Sequence, residues 1–65
     1  MKIEVNGEPR EINTTVLSRA LTELGWGDAR VATALNGVFV PAALRDETPL
    51  SAGDHIEVLT AMQGG

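Results

Sequence analysis

The amino-acid sequence predicts an α+β domain in which a mixed sheet of about four to five strands is covered on one face by one main helix. Three features of the 65 residues predict it: two strand pairs joined by Asn-Gly, one amphipathic segment between the pairs, and one last strand near the carboxyl terminus. No strand–helix–strand unit repeats, so one helix packed on a mixed sheet is the simplest architecture.

The first twelve residues predict a β-hairpin. Apolar and polar residues alternate in MKIEV, which is typical of a half-buried strand. Asn6 and Gly7 tolerate the positive φ of a tight hairpin turn, and a second short run then leads to Ile12. Because Pro9 has no amide hydrogen to donate, the second strand is expected to begin late or to lie at a sheet edge.

The segment VLSRALTEL predicts an amphipathic helix of about ten residues. Three leucines recur at i, i+4 and i+7 from Leu17, so they form one apolar stripe. Thr14 or Thr15 can cap the first turn with a side-chain oxygen. Gly25 follows where a left-handed residue commonly ends a helix.

The second half of the chain predicts a strand pair, a loop and a final strand. VATALNGVFV contains two β-rich runs around Asn36 and Gly37, PAALRDETPLSAGD is rich in turn residues, and HIEVLTAM alternates again. In the final strand Ile56 and Val58 share the core face, and Leu59 lies on the other. The order of hairpin, helix, strand pair, loop and strand is that of the β-grasp, or ubiquitin-like, fold. We assign residues 1–61 to this domain and residues 62–65 to a flexible tail.

Composition excludes several classes of function. The net charge is −4 and the five basic residues are scattered, so nucleic acid is not an expected partner. No apolar run approaches the ~20 residues that span a bilayer, and the amino terminus lacks the apolar core of a signal peptide. We therefore expect a cytoplasmic protein that does not contact membranes.

The chain offers few groups for catalysis. It has no cysteine and a single histidine, His55, and its carboxylates show no metal-ligand spacing. No motif for a cofactor occurs either. We therefore expect a protein that is not itself an enzyme and binds no cofactor or metal.

The sequence ends in Gly64 and Gly65, and this ending has a chemical interpretation. A terminal carboxylate is ionised at neutral pH and is a poor electrophile, so it reacts only after activation, for example as an acyl-adenylate made by a partner from ATP. Glycine has no Cβ to obstruct a narrow active site. Were such a chain to carry sulfur, the absence of cysteine would leave the carbonyl of Gly65 as the only evident attachment point.

Four stretches carry a resemblance to a known family: KIEVNGEP, ALNGVFVP, GDHIEVL and QGG. Together, and in this order, they resemble the ThiS family, the sulfur carriers of thiamin biosynthesis, over essentially the whole chain. The resemblance implies that an E1-like enzyme (ThiF-like) uses ATP to adenylate Gly65. A cysteine-derived sulfur donor would then convert it to a thiocarboxylate, which thiazole synthase (ThiG-like) would consume. Gly64 would serve as the second residue of the tail motif.

Three alternatives remain at this point. The small subunit of molybdopterin synthase shares the expected fold and the Gly-Gly end, although it is usually longer and often has proline shortly before the glycines. A ubiquitin-like modifier would pass the activated Gly65 to a lysine amine. A binding module would use neither glycine. The loop PAALRDE departs from the ThiS pattern, in which a basic residue often follows the proline sooner.

The partner-docking surface is expected to be an apolar patch formed by Phe39, Leu59 and Met62. Leu59 alternates away from the core residues of its strand and lies next to the tail. The competing interpretation places Phe39 and Leu59 in the core.

Overall fold

A computed structural model describes residues 1–27 and 29–60 of the chain. These residues form one mixed sheet, one α-helix and one 3₁₀ helix. The strands are β1 (Lys2–Val5), β2 (Glu8–Glu11), β3 (Val31–Leu35), β4 (Val38–Val40) and β5 (His55–Thr60). The helix α1 (Leu17–Glu23) follows β2, and the 3₁₀ helix (Ala42–Glu47) follows β4. Within the described residues no helix is long and apolar enough to cross a membrane.

The strand order β2-β1-β5-β3-β4 places β5 at the centre of the sheet. It runs parallel to β1 and antiparallel to β3, between the two hairpins. Both hairpin turns have positive φ at their asparagine and glycine, with values of 52° and 84° at Asn6 and Gly7 and of 50° and 85° at Asn36 and Gly37. Both predicted Asn-Gly turns are confirmed. Pro9 lies in β2, an edge strand, as expected.

The core lies between α1 and one face of the sheet. Its buried members include residues of β1, α1, β4 and β5: Ile3, Val5, Leu17, Ala20, Leu21, Val40, Ile56 and Val58. The predicted division of β5 is therefore confirmed, because Ile56 and Val58 are buried whereas His55, Glu57 and Leu59 are exposed.

The helix is shorter than predicted, with seven residues rather than about ten. The residue at the cap position is Val16, in extended conformation, and no side-chain hydrogen bond caps the helix. Thr14 Oγ1 accepts from the Val16 amide at 3.3 Å, at the start of the predicted segment but one residue before α1 begins. Val16 forms an isolated bridge to Pro49, and the Leu17 amide donates to the carbonyl of Thr48 at 2.9 Å. This pairing with a distant loop keeps Val16 extended, so the helix begins one residue later.

The carboxyl end of α1 agrees with the sequence prediction. Gly25 has a φ of +104°, and its amide donates to Thr22 at 3.1 Å while the Trp26 amide donates to Leu21 at 2.8 Å. This pair of hydrogen bonds is the Schellman arrangement that ends many helices at glycine.

Candidate functional site

The strand β5 leads from the centre of the sheet to the carboxyl terminus. Thr60, its last residue, lies opposite Val31, the first residue of β3. The predicted sulfur-attachment residue Gly65, its neighbour Gly64 and the predicted docking residue Met62 lie outside the described residues. The same holds for the predicted boundary between residues 61 and 62. What the structure describes is therefore the surface from which the chain continues toward these residues.

The sheet face opposite α1 carries an apolar groove. Phe39 is 64% exposed and Leu59 is 70% exposed, and both point away from the core. Ala34 pairs with Phe39 and Ala32 pairs with Leu59, so two small side chains lie between the two large ones. We call these four residues the open face. The alternative that places Phe39 and Leu59 in the core is wrong, while their role in docking stays a prediction.

Charged side chains border the open face on its β1 side. His55 Nδ1 lies 3.2 Å from Glu4 Oε1, and both side chains are substantially exposed. Glu57 lies between His55 and Leu59 on the same face of β5 and pairs with Ala34 on β3. A partner that covers the open face thus meets an apolar area with acidic residues next to it.

Hydrogen bonds of side chains support the end of β5 and its neighbour β3. The Asn6 side chain accepts from the Val58 amide at 2.8 Å and donates to the Val58 carbonyl at 3.2 Å. Arg45 Nη2 donates to the Val31 carbonyl at 2.6 Å, and Arg45 Nε donates to Thr33 Oγ1 at 3.0 Å. Sequence reasoning missed both contacts, because Asn6 was interpreted only as a turn residue and Arg45 as part of a loop.

The described residues include His55 and eight of the nine acidic residues of the chain. No group of three or more histidine and acidic side chains among them is placed to hold a metal ion. The Asp54 carboxylate beside His55 accepts hydrogen bonds from the Asn36 side chain at 3.1 Å and the Ser51 amide at 2.8 Å. It therefore stabilises the turn before β5.

Comparison with known proteins identifies the family. A sequence model of the ThiS family matches residues 3–65. The chain belongs to the ThiS family. This confirms the resemblance that the four sequence stretches carry.

Two relatives of this chain illustrate the match in sequence. The sulfur carrier protein ThiS of Thermus thermophilus is 39% identical, and the alignment covers 94% of this chain and 95% of the relative. The protein ycf40 of Pyropia yezoensis is 35% identical over 100% of this chain and 93% of its own length. The relative with a stated role is thus a sulfur carrier of nearly the same length.

Solved structures of a ThiS protein confirm the β-grasp fold. The crystal structure of the thiamine biosynthesis protein ThiS from Geobacter metallireducens superposes with a TM-score of 0.84 at 30% identity, covering 100% of both chains. The solution structure of a thiamine biosynthesis protein from the same organism has a TM-score of 0.78 at 29% identity. The superposition covers 100% of this chain and 88% of that protein. The predicted mixed sheet with one main helix is therefore the architecture of this chain.

Proposed function

We propose that the chain carries sulfur on the carboxyl group of Gly65 and supplies it to thiazole formation in thiamin biosynthesis. The observation that carries the proposal is the match of residues 3–65 to the ThiS family, which extends to the terminal glycine. The 39% identity to a named sulfur carrier supports the same role.

The chemistry begins with activation by an E1-like, ThiF-like partner. An oxygen of the Gly65 carboxylate attacks the α-phosphorus of ATP, and the bond to pyrophosphate breaks. The product is an acyl-adenylate, whose AMP group leaves more readily than an oxide ion. This step needs ATP at the partner, whereas the carrier itself binds no cofactor.

Sulfur then replaces the adenylate. A cysteine-derived sulfur at the oxidation level of sulfide forms a bond to the Gly65 carbonyl carbon as the carbon–oxygen bond to AMP breaks. The resulting thiocarboxylate is a sulfur nucleophile that a ThiG-like thiazole synthase accepts in the cytoplasm. No step requires a catalytic group in the carrier, which acts as a co-substrate.

The folded domain contributes the surface that the partner enzymes recognise. The open face presents exposed apolar area beside the strand that leads to the tail. Burial of this area on a partner stabilises the complex and offsets the conformational entropy lost when the tail enters an active site. We propose that Phe39 and Leu59, together with Met62, form this docking surface.

Intact mass spectrometry tests the proposal. The purified chain is incubated with the activating enzyme, ATP and a cysteine-derived sulfur source, and the expected change is replacement of one oxygen by sulfur. Deletion of Gly65 should abolish the exchange, whereas Ala61→Gly, upstream of the glycine pair, should retain it. Circular dichroism checks that both variants fold.

Other outcomes would identify the alternatives. Attachment of the chain to other proteins would indicate a modifier, and use of the thiocarboxylate by molybdopterin synthase but not by thiazole synthase would place it in the other pathway. Persistence of the exchange after deletion of Gly65 would refute the proposed attachment point.

A further inference from the structure

We propose that Asn6 and Arg45 are positioning residues for the end of β5. Asn6 bonds β5 directly where β1 has stopped, and Arg45 holds the neighbouring strand β3 where β4 has stopped. They would thereby present the tail to the activating enzyme from a fixed point. This inference rests on the proposed function for its link to adenylation, whereas the ordering of β5 itself can be measured separately.

On one side of β5, the Asn6 side chain continues the pairing that β1 leaves unfinished. The parallel pairing with β1 ends at Val5, which lies opposite Ile56, and the Asn6 amide still donates to the Ile56 carbonyl at 2.9 Å. The chain then turns away at Gly7. At the next pairing position the Asn6 side chain bonds both the amide and the carbonyl of Val58. A side-chain amide has the same donor and acceptor pair as a peptide group, so it substitutes for the missing strand residue.

Arg45 performs the corresponding task on the neighbouring strand β3. The pairing of β3 with β4 reaches only Thr33, opposite Val40. Beyond it, Arg45 Nη2 donates to the carbonyl of Val31, the residue that lies opposite Thr60. Arg45 Nε also donates to the Thr33 hydroxyl, which in turn donates to the Val40 carbonyl at 3.0 Å. The guanidinium therefore fixes the start of β3, against which the last residue of β5 packs.

An ordered strand end reduces the entropy lost when the tail binds. Each residue that must be ordered during binding costs roughly 1 to 2 kcal/mol in backbone entropy. If Leu59 and Thr60 are held before the encounter, ordering these two residues is not part of the cost of binding. Loss of the Asn6 contact should therefore raise the KM of the carrier and leave kcat unchanged.

The chain contains a matched control for Asn6. Asn36 occupies the equivalent position in the other Asn-Gly turn, with a φ of 50° against 52° at Asn6. Its side chain also makes two hydrogen bonds, but at the start of β5: it accepts from the His55 amide at 2.9 Å and donates to Asp54. Asn6→Gly and Asn36→Gly both keep the positive φ, so they differ mainly in which end of β5 loses support.

The experiment compares these two variants by ¹⁵N backbone relaxation at Leu59 and Thr60 and by adenylation kinetics with the activating enzyme and ATP. Asn6→Gly should reduce the order of both residues and raise KM about tenfold, the factor that corresponds to ~1.4 kcal/mol, or about one further residue to order. Asn36→Gly should leave KM within about twofold of the wild-type value. Asn6→Asp keeps an acceptor for the Val58 amide and should restore part of the loss.

A second pair of variants tests Arg45, and each of the two removes one positive charge. Arg45→Met should reduce order at Thr60 and raise KM, whereas Arg19→Met, on the exposed side of α1, should do neither. For either residue, unchanged order at Thr60 would overturn its role in holding the strand. Reduced order with unchanged KM would overturn its role in positioning the tail.

Failure of the proposed function gives a different result. In that case the wild-type chain itself is not adenylated, and this refutes the function irrespective of the variants. The relaxation measurements then still decide whether Asn6 and Arg45 hold the end of β5.

Discussion

Replacement of Leu59 by aspartate is expected to weaken binding to the activating enzyme while the domain remains folded. Leu59 is 70% exposed and lies on the open face beside the end of β5. Because little of its side chain is buried in the free protein, the substitution removes little core packing. Its main effect should appear only when a partner covers the open face.

The magnitude follows from this exposure. Complete burial of a leucine side chain contributes about 1.5 to 3 kcal/mol, so burial of the exposed part of Leu59 contributes about 1 to 2 kcal/mol. An aspartate without a partner in the interface adds a desolvation cost of at least ~1 kcal/mol. The sum is 2 kcal/mol or more, which corresponds to at least about thirtyfold weaker binding.

Isothermal titration calorimetry measures the affinity, and Val38→Asp supplies the control. Val38 is 67% exposed, close to the value for Leu59, but it alternates to the opposite side of β4 from Phe39. The Val38→Asp variant should bind the activating enzyme with an affinity within about threefold of the wild-type value, since a surface substitution outside an interface has little effect. Equal affinities of the two folded variants would refute the assignment of the open face as the docking surface.

Two further predictions concern stability, measured by urea denaturation. Thr33 is 1% exposed and its hydroxyl makes two hydrogen bonds, so Thr33→Val should destabilise the domain by about 1 to 3 kcal/mol. Thr22→Val, on the exposed side of α1, should change stability by less than about 0.5 kcal/mol; an equal loss would contradict the importance of the buried hydroxyl. Gly37 has a φ of +85° with open space around an added Cβ, so Gly37→Ala should cost about 1 to 2 kcal/mol through the backbone alone. Gly27→Ala, without positive φ, should be neutral, and matching values for the two would exclude this backbone effect.

Local features of the fold could be predicted because neighbouring residues determine them. Asn36 and Gly37 favour positive φ whatever lies elsewhere in the chain, so the turn was predictable. The alternation in β5 likewise assigned Leu59 to the face opposite Ile56 without knowledge of the strand's neighbours. The exposed location of Leu59 followed from this local pattern.

Features that depend on distant residues could not be predicted from these patterns. The late start of α1 results from the pairing of Val16 with Pro49, and no residue near Val16 signals it. Arg45 lies in a segment that was predicted to be a loop, yet it forms part of a 3₁₀ helix and bonds β3. Short 3₁₀ helices present no repeating apolar stripe, and a side chain that reaches another element leaves no periodic signal.

The central location of β5 has a consequence for folding. The contact between Asn6 and Val58 joins residues 52 positions apart, and closing so long a loop is slow compared with forming either hairpin. Before β5 inserts between β1 and β3, no strand joins these two, and Leu59 is not paired with β3. A nascent or unfolded chain therefore lacks the open face even when its last glycine has been synthesised. Under the proposed function, an activating enzyme that requires both the face and the terminus would spend ATP only on carriers that have completed folding.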